Sequence, residues 1–260
     1  MATAPSTSID LGRVLSRGFN ALLKNAVPFL AVALLLAGIP SFVAQYWLLG
    51  IEFDNPALEF LLSWQFWGPI LGGVLIGFVA NAVLQGTLIG ATVQHLGGRQ
   101  VQIGQSVATA LARALSIIIL SLIVALCVGF GLLALIVPGV ILYLMFSVAV
   151  PAMVAERRGI FDSMSRSASL TKGSRSMILL LVFILLVFGG AVSAVFSSLF
   201  TRLAASFGDA AADRIILSLG GMIGDMIVAA LGAVMIASLY VELRALKEGA
   251  SADIIADVFS

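Results

Sequence analysis

Residues 113–158 read RALSIIILSLIVALCVGFGLLALIVPGVILYLMFSVAVPAMVAERR, and this stretch decides the fold. Between Arg113 and Glu156 there is no charged residue, and Pro138-Gly139 interrupts the run near its middle. A hydrocarbon core of about 30 Å needs roughly 20 apolar residues per helix. The stretch therefore reads as two membrane-spanning helices, Leu115–Val137 and Gly139–Ala155, joined by an uncharged turn. The second is the shorter and carries Pro151, which admits a kinked span or a re-entrant piece.

Working outward, the same criterion finds apolar runs at Asn25–Leu49, Trp67–Val93, Ser176–Phe200 and Ile215–Tyr240. The expected fold class is all-α, a polytopic membrane protein with six transmembrane helices. Composition agrees: 61% of the 260 residues are hydrophobic and 10% are charged, against about a quarter charged in a soluble domain. The first apolar run starts only after Lys24 and is far longer than a signal-peptide core, so a permanent helix is expected there. The chain reads as a single integral membrane domain.

Twelve of the 14 Lys and Arg residues fall in alternate gaps between the runs. Arg13, Arg17 and Lys24 precede the first span, Arg99 and Arg113 follow the second, Arg157 to Arg175 follow the fourth, and Arg244 and Lys247 follow the sixth. The opposite gaps hold Glu52, Asp54 and Glu59, the Pro138-Gly139 turn, and the pair Arg202 and Arg214. Because positive charge resists translocation, an even number of spans with this split places both termini on the cytoplasmic side, as in a bacterial inner membrane protein. The net charge of +1 thus hides a basic face that anionic headgroups attract. Membrane lipids are the expected partners, with a protein partner also open, and no nucleic acid is needed to explain the charge.

Each basic gap before an odd-numbered span holds an amphipathic segment. Ile9–Lys24 sets Leu11, Val14, Leu15, Phe19, Leu22 and Leu23 against Arg13, Ser16, Arg17, Asn20 and Lys24. Gln102–Ala114 repeats Ile103, Val107 and Leu111 every fourth residue, and Ile160–Lys172 carries Ile160, Met164 and Ala168. The expectation is three interfacial helices and a threefold pseudo-repeat, with units near 9–93, 102–155 and 160–249 and a tail at 250–260.

Val137-Pro138-Gly139, the run Val150-Pro151-Ala152-Met153-Val154-Ala155-Glu156, Arg166-Ser167-Ala168-Ser169-Leu170-Thr171-Lys172-Gly173, and Tyr240-Val241-Glu242-Leu243-Arg244 with Lys247-Glu248-Gly249 recur here in a telling order. In that order and spacing the chain resembles the membrane domain of glycerophosphoryl diester phosphodiesterases and its free-standing bacterial relatives, down to an apolar tail motif at Asp257-Val258-Phe259. The resemblance implies a fold and a location. It implies no catalytic residue, because the phosphodiesterase barrel of that family has no counterpart in this sequence.

The residues themselves offer little chemistry. Phosphodiester hydrolysis would need carboxylate-held metal and a general acid and base, yet His95 is the one histidine, at the end of the second span. Cys127 lies alone in the third span, a small packed residue by default. No cofactor, metal or catalytic set is expected, and the chain reads as no enzyme. Two groups of residues remain as candidate sites. Glu156, Arg157, Arg158, Arg166, Ser167, Lys172 and Arg175 could bind headgroup phosphates, or could be topogenic charges alone. Asn81, Gln85 and Asp225 lie within apolar runs, where they could mark a transport path, or serve as hydrogen-bonding glue, or, for Asp225, reach the outer headgroups. The many intramembrane glycines, Gly72-Gly73, Gly77, Gly129 and Gly131 among them, are expected to permit close helix packing.

Overall fold

A computed structural model describes residues 9–51 and 63–249, and every described element of regular structure is helical. The expected acidic loop with Glu52, Asp54 and Glu59 and the tail with Asp257-Val258-Phe259 lie outside the described residues. In chain order the helices are α1 (Leu11–Lys24), α2 (Ala26–Leu48), α3 (Trp64–Leu96), α4 (Ile103–Ala112), α5 (Ala114–Ala134), α6 (Ile136–Phe146), α7 (Ala149–Glu156), α8 (Ile160–Thr171), α9 (Arg175–Ala204) and α10 (Ala210–Glu248). Helices α2, α3, α5, α9 and α10, together with the α6–α7 pair, make six stretches long and apolar enough to cross a membrane. The protein is an integral membrane protein of six such helices.

Large apolar side chains point outward to an extent no water-soluble chain tolerates: Leu133 is 84% exposed, and Phe130 and Leu186 are similarly bare. Lipid is the solvent that accepts such a surface, and the interior combines large apolar side chains such as Phe29, Leu88 and Ile117 with alanines and buried hydroxyls.

The fourth span breaks at Ser147-Val148, three residues ahead of Pro151, and the turn expected at Pro138-Gly139 falls instead at Leu135. Helix α6 ends at Phe146, Ser147 donates to the Leu144 carbonyl at 2.9 Å, and α7 starts two residues later. Pro151 falls in the first turn of α7, where its missing N–H would have had no helical partner anyway. At the other end, Leu135 alone links α5 to α6 in an extended conformation. So short a link brings two backbones together: a Cβ on Gly131 would lie 2.9 Å from the Gly139 Cα, and one on Gly139 would collide with Leu132. Glycine at both positions is what allows the hairpin to close.

The described helices gather into two compact units. The first contains the chain up to Phe29, Ala82–Leu186 and everything from Leu231 on; the second contains Leu30–Asn81 and Val187–Ala230. All twelve cations of the basic gaps belong to the first unit, and Arg202 and Arg214 to the second.

Within the first unit the three short helices bury mainly small or hydroxyl-bearing side chains, while Leu11, Leu15, Ile160 and Met164 of the apolar rows pack partly buried against the core. Helix α4 buries Ser106 and Ala110 while Leu111 and Leu115 stay exposed, and a Cβ on Gly86 of α3 would meet the Ala110 Cβ at 3.1 Å. Helix α8 buries Ser163, Ser167, Leu170 and Thr171, a face of hydroxyls four residues apart. Each hydroxyl finds a carbonyl: Ser163 donates to Gly159, and Ser167 and Thr171 to Met145. Helix α1 buries Val14, Gly18 and Ala21, with Gly18 seated against Met235 and Ser238 of α10.

Candidate functional site

The C-terminal end of α7 carries the centre of the first candidate site. Glu156 is the last residue of α7, and Arg157 closes the helix in the left-handed conformation, φ 53°, a region glycine occupies more cheaply. The carboxylate of Glu156 is 93% buried and accepts three donors: Tyr240 Oη of α10 at 2.8 Å, Arg166 Nε of α8 at 2.9 Å, and Arg158 Nε. Arg166 also donates to Glu248, which in turn accepts from Arg244 Nε at 2.8 Å. A chain of alternating charges therefore ties the C-terminal ends of α7 and α10 to the middle of α8. Burial by itself would lower the Arg166 pKa, but the bonds to Glu248 and Glu156 outweigh it and hold the guanidinium above its ordinary value, fixed in the charged form.

A second knot holds α1. Arg13 and Arg17, four residues apart and so on one face, grip the two carboxylate oxygens of Glu242 at 3.0 and 2.8 Å. Glu242 is buried, whereas both arginines are partly exposed. Asp10 caps α1 through the Arg13 N–H at 3.1 Å.

These knots consume Arg13, Arg17, Arg158, Arg166 and Arg244. Among the described residues, the other seven cations of the first unit, Lys24, Arg99, Arg113, Arg157, Lys172, Arg175 and Lys247, make no ion pair. Lys247 Nζ instead donates to the Lys172 carbonyl at 2.9 Å, so two exposed lysines are held side by side. Arg175 Nε is buried without a hydrogen-bond partner. Of the sequence candidates, then, Glu156, Arg158 and Arg166 are brought together as framework, and Ser167 is buried against Met145. Arg157, Lys172 and Arg175 are the ones left with charge to offer. Sequence reasoning passed over Tyr240, Glu242, Arg244 and Glu248. The spacing of Arg13 with Arg17, and of Arg244 with Glu248, was the available signal.

The second unit holds the other candidate group. Asp225 of α10 accepts from Ser41 Oγ and, at 3.3 Å, from Gln45 Nε2, and Gln45 Nε2 also donates to Ser41 Oγ at 2.8 Å. On insertion scales an aspartate at mid-helix costs about 2.5–3.5 kcal/mol, which such donors would partly offset. Two cavities flank it, of about 370 and 390 Å³, and Asp225 lines both. Asn81 lines the second with Ser41; Gln85 lines neither and sits half-buried on α3 in the first unit. The expected path of three polar residues is therefore a pair, with Ser41 and Gln45 as the partners sequence reasoning missed. They follow Pro40 at i, i+4 spacing within an apolar run, which is the trace they leave.

His95 Nδ1 accepts from Asn25 Nδ2 at 3.1 Å, leaving its neutral proton on Nε2. Among the described residues no group of three His, Cys, Asp or Glu side chains is placed to hold a metal ion.

Comparison with known proteins gives one finding. The uncharacterised protein family UPF0259 matches residues 68–211. No curated protein and no solved structure matches.

Proposed function

We propose that this chain, which belongs to the uncharacterised protein family UPF0259, is a non-catalytic membrane protein whose basic end binds anionic lipid headgroups at the cytoplasmic face of a bacterial inner membrane. One observation carries the reading: after the glutamates have taken their partners, seven cations of the first unit stand without a carboxylate among the described residues. Framework arginines have their charge paired with a carboxylate; these do not. Each exposed Lys or Arg near an anionic surface contributes about 1 kcal/mol. Arg157 supports the reading from the backbone side, since a cation occupies a left-handed position where glycine would be less strained. The positive-inside bias supports the orientation. An accessory role in lipid or phosphodiester metabolism rests on the resemblance to the phosphodiesterase membrane domain alone.

The test is native mass spectrometry of the full chain in maltoside, loaded with equal phosphatidylglycerol and phosphatidylcholine. The wild type should retain phosphatidylglycerol preferentially. The triple variant Arg157→Gln, Lys172→Gln, Arg175→Gln should lower that preference by about tenfold or more, and added salt should weaken it in the wild type. Arg158→Gln, which touches only the framework, should change it little. A triple variant with undiminished preference would remove the basic face from the function.

A further inference from the structure

The polar cluster of the second unit has the features of an intramembrane ligand site. Helix α2 contains a π turn at Leu34–Gly38, directly before Pro40. Such turns absorb the backbone partner that proline lacks and are frequent at functional sites. Beyond it, Ser41 and Gln45 lie one turn apart and both reach Asp225. Gln45 can do so only because α10 carries glycine at 221, where a Cβ would collide with the Gln45 amide.

Asp225 lies eleven residues beyond Arg214 on the same helix, about 16 Å along its axis. If Arg214 marks the bilayer edge, that is close to half of a 30 Å core. Both donors bond the same oxygen, Oδ2, and among the described residues no Lys, Arg or His pairs with the carboxylate. Yet Asp225 is exposed to two cavities of ligand size.

The cavity walls define the occupant. Leu36, Ala37, Pro40, Ala44, Val228 and Ala229 make most of one of them apolar. Gly73 and Gly77 of α3 line the same cavity, and no protein atom lies within 4 Å of where a Cβ would stand on either. Among the described residues these two glycines therefore do not serve close helix packing; they leave one wall of the cavity open. A bare Ca²⁺ or Mg²⁺ ion would need about six oxygens, more than one carboxylate, a hydroxyl and two amides supply. An organic ammonium needs a single carboxylate and brings its own apolar body.

We infer that Asp225 is the counter-charge of an intramembrane site for the ammonium head of an amphiphile, either an aminophospholipid or a single-chain amine. Ser41 and Gln45 orient the carboxylate, and the groove over Gly73 and Gly77 receives the chain. The site is independent of the basic face.

The experiment compares dodecylamine, dodecanol and dioleoyl phosphatidylethanolamine as probes for the full chain in maltoside, with retention read by native mass spectrometry. The wild type should retain dodecylamine over dodecanol by about tenfold or more. Asp225→Asn, which keeps an oxygen for Ser41, should erase that preference, and Gly77→Leu should reduce retention of both dodecyl probes together. The triple variant of the basic face should leave the preference intact, which separates this site's failure from that of the headgroup reading. Preferred retention of the phospholipid over dodecylamine would assign the site to a lipid headgroup, and the reverse to a single-chain amine. Equal retention of amine and alcohol by the wild type would overturn the inference. So would a preference that survives Asp225→Asn.

Discussion

Replacing Glu156 by alanine removes the acceptor that three segments share, and the structure sets the size of the effect. The Tyr240 ring is fully buried, so its hydroxyl proton would be left without an acceptor, at about 1–3 kcal/mol, while the oxygen keeps Arg244 beside it. Breaking a buried ion pair by deleting one partner costs about 3–5 kcal/mol. Here the figure falls to about 1–2, because the Arg166 side chain is 17% exposed and keeps Glu248. Arg158, 46% exposed, adds less than about 0.5 kcal/mol. The expected loss is about 3 kcal/mol, read from the unfolding midpoint in mixtures of maltoside and dodecyl sulfate followed by far-ultraviolet circular dichroism. A double-mutant cycle isolates the mechanism. Tyr240→Phe should cost about 1–1.5 kcal/mol in the wild type and under about 0.5 kcal/mol once Glu156 is alanine. A Glu156→Ala loss below about 1 kcal/mol, or a Tyr240→Phe cost that is the same in both backgrounds, would refute the reasoning.

Two further outcomes follow from the same contacts. Glu242→Ala frees arginines that can turn to water, so its cost in stability should be only about 1 kcal/mol, while trypsin should cut α1 at Arg13, Arg17 and Lys24 several times faster than in the wild type, as followed by mass spectrometry of the digest. Gly139→Ala should sharply reduce the yield of folded protein on size-exclusion chromatography, because its Cβ meets Leu132, whereas Gly129→Ala, with open space around it, should be tolerated and should raise stability by up to about 1 kcal/mol.

The span count was legible because each apolar run is bounded by charges, and the hydrocarbon thickness leaves little freedom in reading such runs. The interruption of the fourth span was legible only to within a turn, since Pro151 lies inside α7 and the break falls at Ser147-Val148. The glycines were not. Gly131 and Gly77 look alike in sequence, but one lies against a neighbouring backbone and the other faces open space, a difference set by where another helix passes. The short helices misled in the opposite sense. Ser167 reads as a candidate headgroup contact, yet it is buried with Ser163 and Thr171 because backbone carbonyls accept all three hydroxyls. The ion-pair framework joins residues up to 229 positions apart, from Arg13 to Glu242, and the sequence shows the charges without the partners. Ser41 and Gln45 were hidden by the π turn ahead of them, which no regular periodicity anticipates.

The whole account depends on the basic end facing one side of the bilayer. Single cysteines at Arg99, Arg158, Ser206 and Lys247, in a chain with Cys127 replaced by alanine, can be challenged with a membrane-impermeant maleimide in intact cells and again after permeabilisation. Labelling of the Ser206 site in intact cells, with the other three labelled only after permeabilisation, is the predicted result. Labelling of Arg158 and Ser206 sites together from outside would contradict it.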